Sequence, residues 1–371
     1  MAAYTTIDDP SAHFQTLVYT GNGSNPRNLT NDGNSDLKPD WIWGKNRTDN
    51  GTDHILTNTT LGLNPPITDS LLSSNSTGGV NTPNPTYGYV SAMLTDGFTA
   101  VAGGTNGDNF NANSKEFVAW QWKANGGTTA TNTTGNGIDS VVQANTTAGF
   151  SIVTYTGNGT QSGQTVGHGL GAVPKMIISK DRTNSSNVVS WRVYHVGIGP
   201  TKYIELQSNA AQSTFNDWDD TAPTSSVYSV GGAGGYTPTN TNNALYVAYC
   251  FAEIQGYSKF GKYVGNGNAD GPFVYTGFKP AFLMMKESSS AGGNWVIFDN
   301  KRDVDNVLIH RLHPNTTAGD NTSRNYIDFY SNGFKMRNTD ADHNQSGQTM
   351  IYMAVAENPF VTSTGIPTTA R

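Results

Sequence analysis

The stretch YTGNG occupies Tyr19–Gly23, returns at Tyr155–Gly159, and appears a third time as YVGNG at Tyr263–Gly267. After each copy come a loop and a proline that opens an apolar run: PDWIWGKNR from Pro39, PKMIISKDR from Pro174 and PAFLMMKES from Pro280. In each run a lysine stands six residues after the proline: Lys45, Lys180 and Lys286. This shared spacing predicts one structural unit present three times, with the three lysines in equivalent places.

A second landmark, an aromatic-x-Ala strand, closes each unit: FVAWQWK from Phe117, YVAYCFAE from Tyr246 and YMAVAENPF from Tyr352. The separation from proline to aromatic is 72 residues in the second and third copies and 78 in the first. These landmarks predict domains at 1–123, 149–255 and 256–371. Residues 124–148 are rich in Gly, Thr and Asn and are interpreted as a flexible linker, so the first domain is expected to be the least rigidly attached.

The segments within a unit are typical of β-strands, being short, β-branched or aromatic, and bounded by Gly, Asn, Asp or Pro. In the first closing strand, Val118, Trp120 and Trp122 alternate with Phe117 and Ala119, so both faces are apolar. A strand of this kind is expected in the centre of a sheet that is covered on both sides. We therefore predict an all-β protein made of three tandem jelly-roll-like β-sandwich repeats.

The amino-acid composition of the chain limits the classes of molecule that it can bind. Only 13% of the 371 residues are charged and the net charge is −6, whereas binding phosphates requires clustered Lys and Arg, so we expect no nucleic acid. No apolar run approaches the roughly 20 residues that span a bilayer, and the first residues lack the pattern of a signal peptide. The single cysteine, Cys250, excludes an intrachain disulfide and a cysteine-based zinc site. These features predict synthesis in a cytoplasm and no membrane insertion.

The glycine-rich pentapeptide invites comparison with phosphate-binding loops. Such loops need a helix N-terminus directly behind them, whereas turn residues and a strand follow each copy here. The interpretation as a structural turn, in which glycine supplies a positive φ, is therefore favoured.

Two loops carry oxygen side chains at spacings that suggest calcium, NGNADG from Asn266 and NDGNSD from Asn31. Neither fits an EF-hand frame, so solvated turns are favoured and no cofactor is predicted, although loop-bound calcium stays open. The histidines are scattered. His310 and His313 have a spacing that suits a metal on a helix, but VLIHRLHPN is typical of a strand, where residues three apart face opposite sides.

No residue is predicted to be catalytic. The chain has five glutamates, of which Glu116, Glu253 and Glu357 lie in or beside closing strands. Cys250 is expected to be a small buried residue whose counterparts are Gln121 and Ala356. Most Trp and Tyr residues are assigned to packing, and Trp218, in the loop-like FNDWDDT, is the one aromatic expected to be exposed.

Three stretches carry a resemblance to a known family: MAAYTTIDDPSAHFQTLVYTGNG, ADGPFVYTGFKPAFLMMK and YIDFYSNGFKMRNTDADHNQSGQTMIYMAVAENPFVTSTGIPTTAR. They resemble the repeat-containing virion structural proteins of marine tailed phages, of the cyanophage head-fibre and tail-fibre type. The resemblance covers nearly the whole chain and implies concanavalin-like sandwich domains without catalytic residues. The first unit departs most, since it lacks the tryptophan strand of the others and has an insertion at 62–89.

The resemblance implies a non-enzymatic virion structural protein on the particle surface, as a head fibre, a capsid decoration or a tail-fibre segment. Such a protein acts in particle assembly or host attachment, is made in the host cytoplasm, and has other capsid or tail proteins as partners. A homo-oligomer is expected, with a trimer as one arrangement. The alternative is a carbohydrate-binding adhesin that recognises host surface glycans, and a polysaccharide-degrading enzyme is a third hypothesis.

Overall fold

Short antiparallel strands make up nearly all the regular structure of this computed structural model, which describes residues 3–63, 71–79, 86–104, 109–183 and 189–368. The prediction of an all-β protein is confirmed. Helix is limited in the described residues to a 3-10 turn, Pro10–Ala12, which the Asp9 side chain caps, and to α1, Ala341–Asn344. No helix of the described residues has the length and apolar character needed to cross a membrane.

The first segment of the chain supplies a five-stranded sheet in the order β1-β8-β3-β4-β5 and a three-stranded sheet in the order β2-β7-β6. Its strands are β1 (Phe14–Thr20), β2 (Arg27–Leu29), β3 (Trp41–Asn46), β4 (Ile55–Asn58), β5 (Leu71–Ser73), β6 (Tyr89–Met93), β7 (Phe98–Val101) and β8 (Glu116–Trp122). Of the insertion predicted at 62–89, residues 64–70 and 80–85 lie outside the described residues.

The second segment supplies an eight-stranded sheet in the order β17-β16-β15-β14-β19-β12-β11-β9 and a three-stranded sheet in the order β10-β13-β18. Its strands are β9 (Ala130–Asn132), β10 (Gly137–Ile138), β11 (Ser140–Asn145), β12 (Phe150–Thr156), β13 (Gln164–Gly167), β14 (Pro174–Asp181), β15 (Arg192–His195), β16 (Lys202–Glu205), β17 (Ser213–Thr214), β18 (Val227–Val230) and β19 (Leu245–Ala252).

The third segment supplies a four-stranded sheet in the order β20-β26-β22-β23 and a three-stranded sheet in the order β21-β25-β24. Its strands are β20 (Ser258–Val264), β21 (Phe273–Tyr275), β22 (Phe278–Glu287), β23 (Trp295–Asp299), β24 (Ile327–Tyr330), β25 (Gly333–Met336) and β26 (Thr349–Pro359). Each segment therefore contributes one large and one small sheet.

Each large sheet is covered on both faces, because its strands alternate between two cores. One face packs on the small sheet of the same segment, as Ala119, Ala248 and Ala354 do. The other face joins a single cluster that takes side chains from all three segments, among them Trp120, Tyr249 and Met353. The closing strands β8, β19 and β26 each lie between two neighbours of their sheet, which confirms their predicted central position.

Contacts between the segments form a closed ring. Asn58, His195 and Asp299 share one register position, opposite Trp41, Met176 and Phe282. The Asn58 amide donates to the Tyr249 hydroxyl (3.1 Å), His195 Nε2 lies 3.0 Å from the Tyr352 carbonyl oxygen, and Trp120 Nε1 donates to Asp299 (3.0 Å). The first segment thus contacts the second, the second the third, and the third the first.

Residues 124–148 differ from the flexible linker that their composition indicates. They contain β9, β10 and β11, and β11 pairs with β12 over its full length, from Ser140 opposite Tyr155 to Asn145 opposite Phe150. The physical reason lies in the stretch SVVQAN, in which Val142 is buried while Val141 is 38% exposed, the alternation of a half-buried strand.

The third closing strand is aligned differently from the sequence-based prediction. Lys45, Lys180 and Lys286 pair with Val118, Val247 and Ile351, so the counterpart of Phe117 and Tyr246 is Met350 and not Tyr352. By the same register the counterpart of Cys250 is Ala354 and not Ala356. A shift of two residues keeps every side chain on its face, so periodicity alone could not detect it.

Candidate functional site

The Tyr-x-Gly-Asn-Gly loops have the same structure in all three places. Each begins at the end of a strand, β1, β12 or β20. The tyrosine hydroxyl donates to a carbonyl oxygen far along the chain, from Tyr19 to Phe110 (2.7 Å), Tyr155 to Thr239 (2.7 Å) and Tyr263 to His343 (2.5 Å). The acceptor in each case is the residue before a fully buried asparagine: Asn111, Asn240 and Asn344.

This buried asparagine holds the loop. Its side-chain oxygen accepts the backbone N–H of the loop asparagine at 3.2 Å for Asn111, 2.9 Å for Asn240 and 3.0 Å for Asn344. Its own carbonyl oxygen accepts the N–H of the last loop glycine: Gly23, Gly159 or Gly267. The N–H groups that a phosphate cradle would offer are therefore used within the protein.

Both glycines of the loop are required by this contact. A Cβ on the first would lie 2.0 to 2.3 Å from the carbonyl oxygen of the residue after the buried asparagine: Ala112, Thr241 or Gln345. The last glycine has a φ of 69°, 76° and 62° in the three copies. The interpretation as a structural turn with positive φ is confirmed, and we name each tyrosine, loop and buried asparagine an asparagine clamp.

The three lysines also recur in one environment, as their spacing predicts. Their exposure is 1% or less, and burial lowers the pKa of each, Lys45, Lys180 and Lys286, to about 8. Their Nζ atoms donate to backbone carbonyl oxygens, such as Thr317 for Lys45 (3.2 Å) and Thr77 for Lys180 (3.0 Å), which belong to a neighbouring segment. An amine with a lowered pKa can act as a nucleophile, but these three are enclosed and donate to backbone carbonyl oxygens, which for Lys286 is that of Glu287 in its own strand.

Trp218, predicted to be exposed, is buried, and that prediction is wrong. Its exposure is 1%, and its ring makes edge contacts with Tyr194 (5.9 Å) and Tyr228 (6.5 Å) in the core of the second segment. The prediction failed because the polar neighbours of Trp218 in FNDWDDT are typical of an exposed loop, whereas the tryptophan ring itself packs in the core. Cys250 is buried as predicted, and burial raises the pKa of its thiol.

Of the residues that the sequence offers as metal ligands, the histidine pair and one aspartate of each candidate calcium loop contact partners within the protein. His310 contacts Asp303 (2.7 Å), while His313 Nδ1 faces the carbonyl oxygen of Trp295 (3.1 Å). In the two candidate calcium loops, Asp270 is paired with Lys335 and Asp32 with Lys301. Within the described part of the chain, no three His, Cys, Asp or Glu side chains form a group that could hold a metal ion.

An open cleft of about 350 Å³ lies between the first and third segments, a site that sequence reasoning missed. Its sides are β1 with the loop 32–34 and, opposite, the ends of β22 and β26 with the loop after β23. Two ion pairs flank it, Lys301 with Asp32 (2.9 Å) and Lys279 with Glu357 (2.6 Å). We call it the 1/3 cleft.

Three asparagine side chains line the 1/3 cleft: Asn34, Asn300 and Asn358. They donate no hydrogen bond to any described residue, so their donors and acceptors face the cleft or solvent. Phe14, Ala281 and Ala356 add apolar surface at its floor. A cleft of this size and chemistry suits a small neutral polar ligand.

A family model described as Domain of unknown function (DUF7483) matches residues 9–359 of the chain. The chain belongs to the DUF7483 family. No curated protein and no solved structure matches this DUF7483 protein. The asparagine clamps and the 1/3 cleft all lie within the matched residues.

Proposed function

We propose that this DUF7483 protein is a non-enzymatic structural protein of a phage particle, exposed on its surface as a head fibre, a decoration or a tail-fibre segment. It consists, in this proposal, of three tandem jelly-roll-like, concanavalin-like sandwiches. The observation that supports the repeat is the asparagine clamp, because the same hydrogen bonds recur three times between residues about 80 to 90 positions apart.

The use of the buried polar groups supports a non-enzymatic role. Among the groups with the chemistry of a nucleophile or base, Lys45, Lys180 and His195 donate to or face backbone carbonyl oxygens across segment boundaries, and Lys286 donates to the carbonyl oxygen of Glu287 in its own strand. Buried Arg302 likewise contacts Asp299 (2.7 Å) and Asp320 (2.7 Å), and Asp320 also pairs with Arg47 of the first segment (2.6 Å). These groups stabilise the assembly of the segments.

The surface supports a particle protein that works in salt water. With 13% charged residues, little of its stability depends on ion pairs that salt screens. Its proposed partners are other capsid or tail proteins and further copies of itself, with a trimer as one arrangement, and its proposed location is the virion after synthesis in the host cytoplasm.

Immunogold electron microscopy tests this function. Antibodies raised against the purified protein should label intact tailed-phage particles that encode it, either on the head surface or along a fibre. Antibodies adsorbed beforehand with the protein are the control. Labelling of neither intact nor disrupted particles would remove the virion role.

The 1/3 cleft favours a second candidate, the carbohydrate-binding adhesin. Side-chain amides are good partners for vicinal hydroxyl groups because each offers donors and an acceptor. Binding of the protein to a glycan array, weakened by Asn300→Ala with Asn358→Ala but not by Asn242→Ala on an exposed loop, would support this candidate. An array without reproducible binding would count against it.

A further inference from the structure

The outer face of the small sheet in the third segment carries exposed aromatic rings. Phe273 and Tyr275 point outward from β21 and are 47% and 55% exposed, while Val274 between them is buried. Tyr330, at the end of β24, meets the Phe273 ring edge-on, with centroids 6.0 Å apart. We call Phe273, Tyr275 and Tyr330 the aromatic face.

Glycine shapes this surface. Gly333 pairs with both Tyr275 and Tyr330, so it lies between the two tyrosines. A Cβ there would lie 2.8 Å from the Phe273 ring, which therefore leans over the glycine toward Tyr330. The contacts of the Phe273 ring with Gly333 and Tyr330 restrict its orientation, and a surface ordered in advance loses little entropy on binding.

The other two small sheets lack such a face. Phe273 pairs with Lys335, and the equivalent pairs are Asn28 with Thr99 in the first segment and Thr165 with Ser229 in the second. Two residues on, at the position of Tyr275, stand Thr30 and Gly167. The same strand position thus accepts small polar residues, so folding of the sheet does not require the aromatic rings.

Ion pairs surround the aromatic face. Lys335 contacts Asp270 (2.6 Å), and Arg337 contacts Asp328 (3.4 Å), which also accepts a hydrogen bond from the Tyr330 hydroxyl (2.9 Å). Each ion pair has no net charge, but its side chains still offer hydrogen-bond donors and acceptors at the edge of the aromatic face. That balance favours a neutral ligand with many hydroxyl groups over a polyanion.

Area argues against a stable protein interface. Phe273 and Tyr275, about half exposed, offer roughly 100 Å² each and the partly buried Tyr330 offers less, so the face presents about 200 to 300 Å². A stable protein partner typically covers about 800 Å² on each side. A patch of a few hundred Å² that combines ring faces with a polar rim matches the flat, C–H-lined face of a pyranose sugar.

We propose that the aromatic face is a binding site for neutral pyranose saccharides, with the ring faces of Phe273 and Tyr275 as the platform. The charged rim supplies hydrogen bonds to sugar hydroxyls. This inference goes beyond the proposed structural role and does not depend on where the protein lies in a particle. It also concerns a surface separate from the 1/3 cleft.

The test compares the full-length protein with the double variant Phe273→Thr and Tyr275→Thr, which gives β21 the small polar character of its counterparts. The probe is an array of neutral gluco-, manno-, galacto- and rhamno-oligosaccharides of two to six rings, followed by calorimetric titration with the strongest binder. The control is Tyr87→Thr, which removes another tyrosine that is 49% exposed.

The double variant is expected to bind at least ten-fold more weakly, with an unchanged unfolding temperature, and the control to bind like the parent. Three results would overturn the proposal: no binding on the array, binding that survives in the double variant, or a change from oligomer to smaller species in light scattering, which would make the face a protein interface. Immunogold labelling of particles is independent of all three results.

Discussion

At the residue scale, the asparagine clamp shows what a single sequence reveals and what it hides. The repeated pentapeptide marked the turns, because glycine and asparagine tolerate a positive φ. Its partner could not be found in the same way. Asn111, Asn240 and Asn344 lie 78 to 89 residues downstream of the loop asparagine they contact, in segments without a common motif.

Asn240→Ala is expected to destabilise the protein by about 3 kcal/mol. The side chain of Asn240 donates to Asn158 (2.8 Å) and Thr160 (2.8 Å) and accepts from the Asn158 N–H, and its loss removes all three hydrogen bonds, each contributing about 1 kcal/mol. Urea unfolding measures the loss. Asn242→Ala, on the exposed part of the same loop, should cost less than about 0.5 kcal/mol. Equal losses in the two variants would show that the clamp contributes nothing.

The buried lysines give the protein a pH dependence with a definite sign. Burial lowers the pKa of Lys286 from 10.5 to about 8, so the folded chain releases this proton near pH 8 and the unfolded chain only near pH 10.5. Between those values the unfolded state binds more protons, and stability therefore rises with pH.

Lys286→Met should remove one such contribution. Between pH 7.5 and 9.5 the parent should gain roughly 2 kcal/mol relative to this variant, as measured by urea unfolding at each pH. The comparison of two proteins cancels the titration of Cys250 and the tyrosines. Lys262→Met, at an exposed position of β20, should follow the parent curve. A Lys286→Met curve parallel to that of the parent would mean that Lys286 stays charged in the folded state.

At the element scale, the local sequence pattern predicted the central strands well, but it missed strands that form only by pairing with a distant part of the chain. The closing strand β19 was recognisable because it is apolar on both faces. The strands in 124–148 were hidden by their Gly, Thr and Asn neighbours, which are common in linkers. Their order comes from pairing with β12, a long-range contact that composition does not report.

Val142→Asp should therefore open residues 124–148 to protease, whereas Val141→Asp should not. Val142 packs in the core between the two sheets of the second segment, and a buried carboxylate there would be unpaired. Val141 is 38% exposed on the opposite face of the same strand. Limited proteolysis with mass spectrometry of the first fragments distinguishes the two. Early cleavage in this stretch of the parent protein would restore its interpretation as a flexible linker.

At the scale of the whole molecule, the shared cluster is the feature that the sequence could not supply. Alternation showed that the closing strands have two apolar faces, but not that the second faces of all three meet. Trp41 of the first segment stacks on Tyr249 of the second (4.2 Å), and Phe282 of the third contacts Trp122 (5.5 Å). The 1/3 cleft forms where the first and third segments pack together. No local motif could predict it, because its residues come from distant parts of the sequence.

Because each segment covers the apolar faces of the other two, the protein should unfold in one transition, with equal calorimetric and van't Hoff enthalpies. Trp41→Ala, in the shared cluster, and Phe98→Ala, in the core of the first segment alone, should each cost about 3 to 5 kcal/mol. In differential scanning calorimetry both variants should lower the midpoint of the whole transition. If Phe98→Ala instead produced an early, separate transition while the rest unfolded at the parental temperature, the first segment would be an independent domain, as the composition of residues 124–148 predicts.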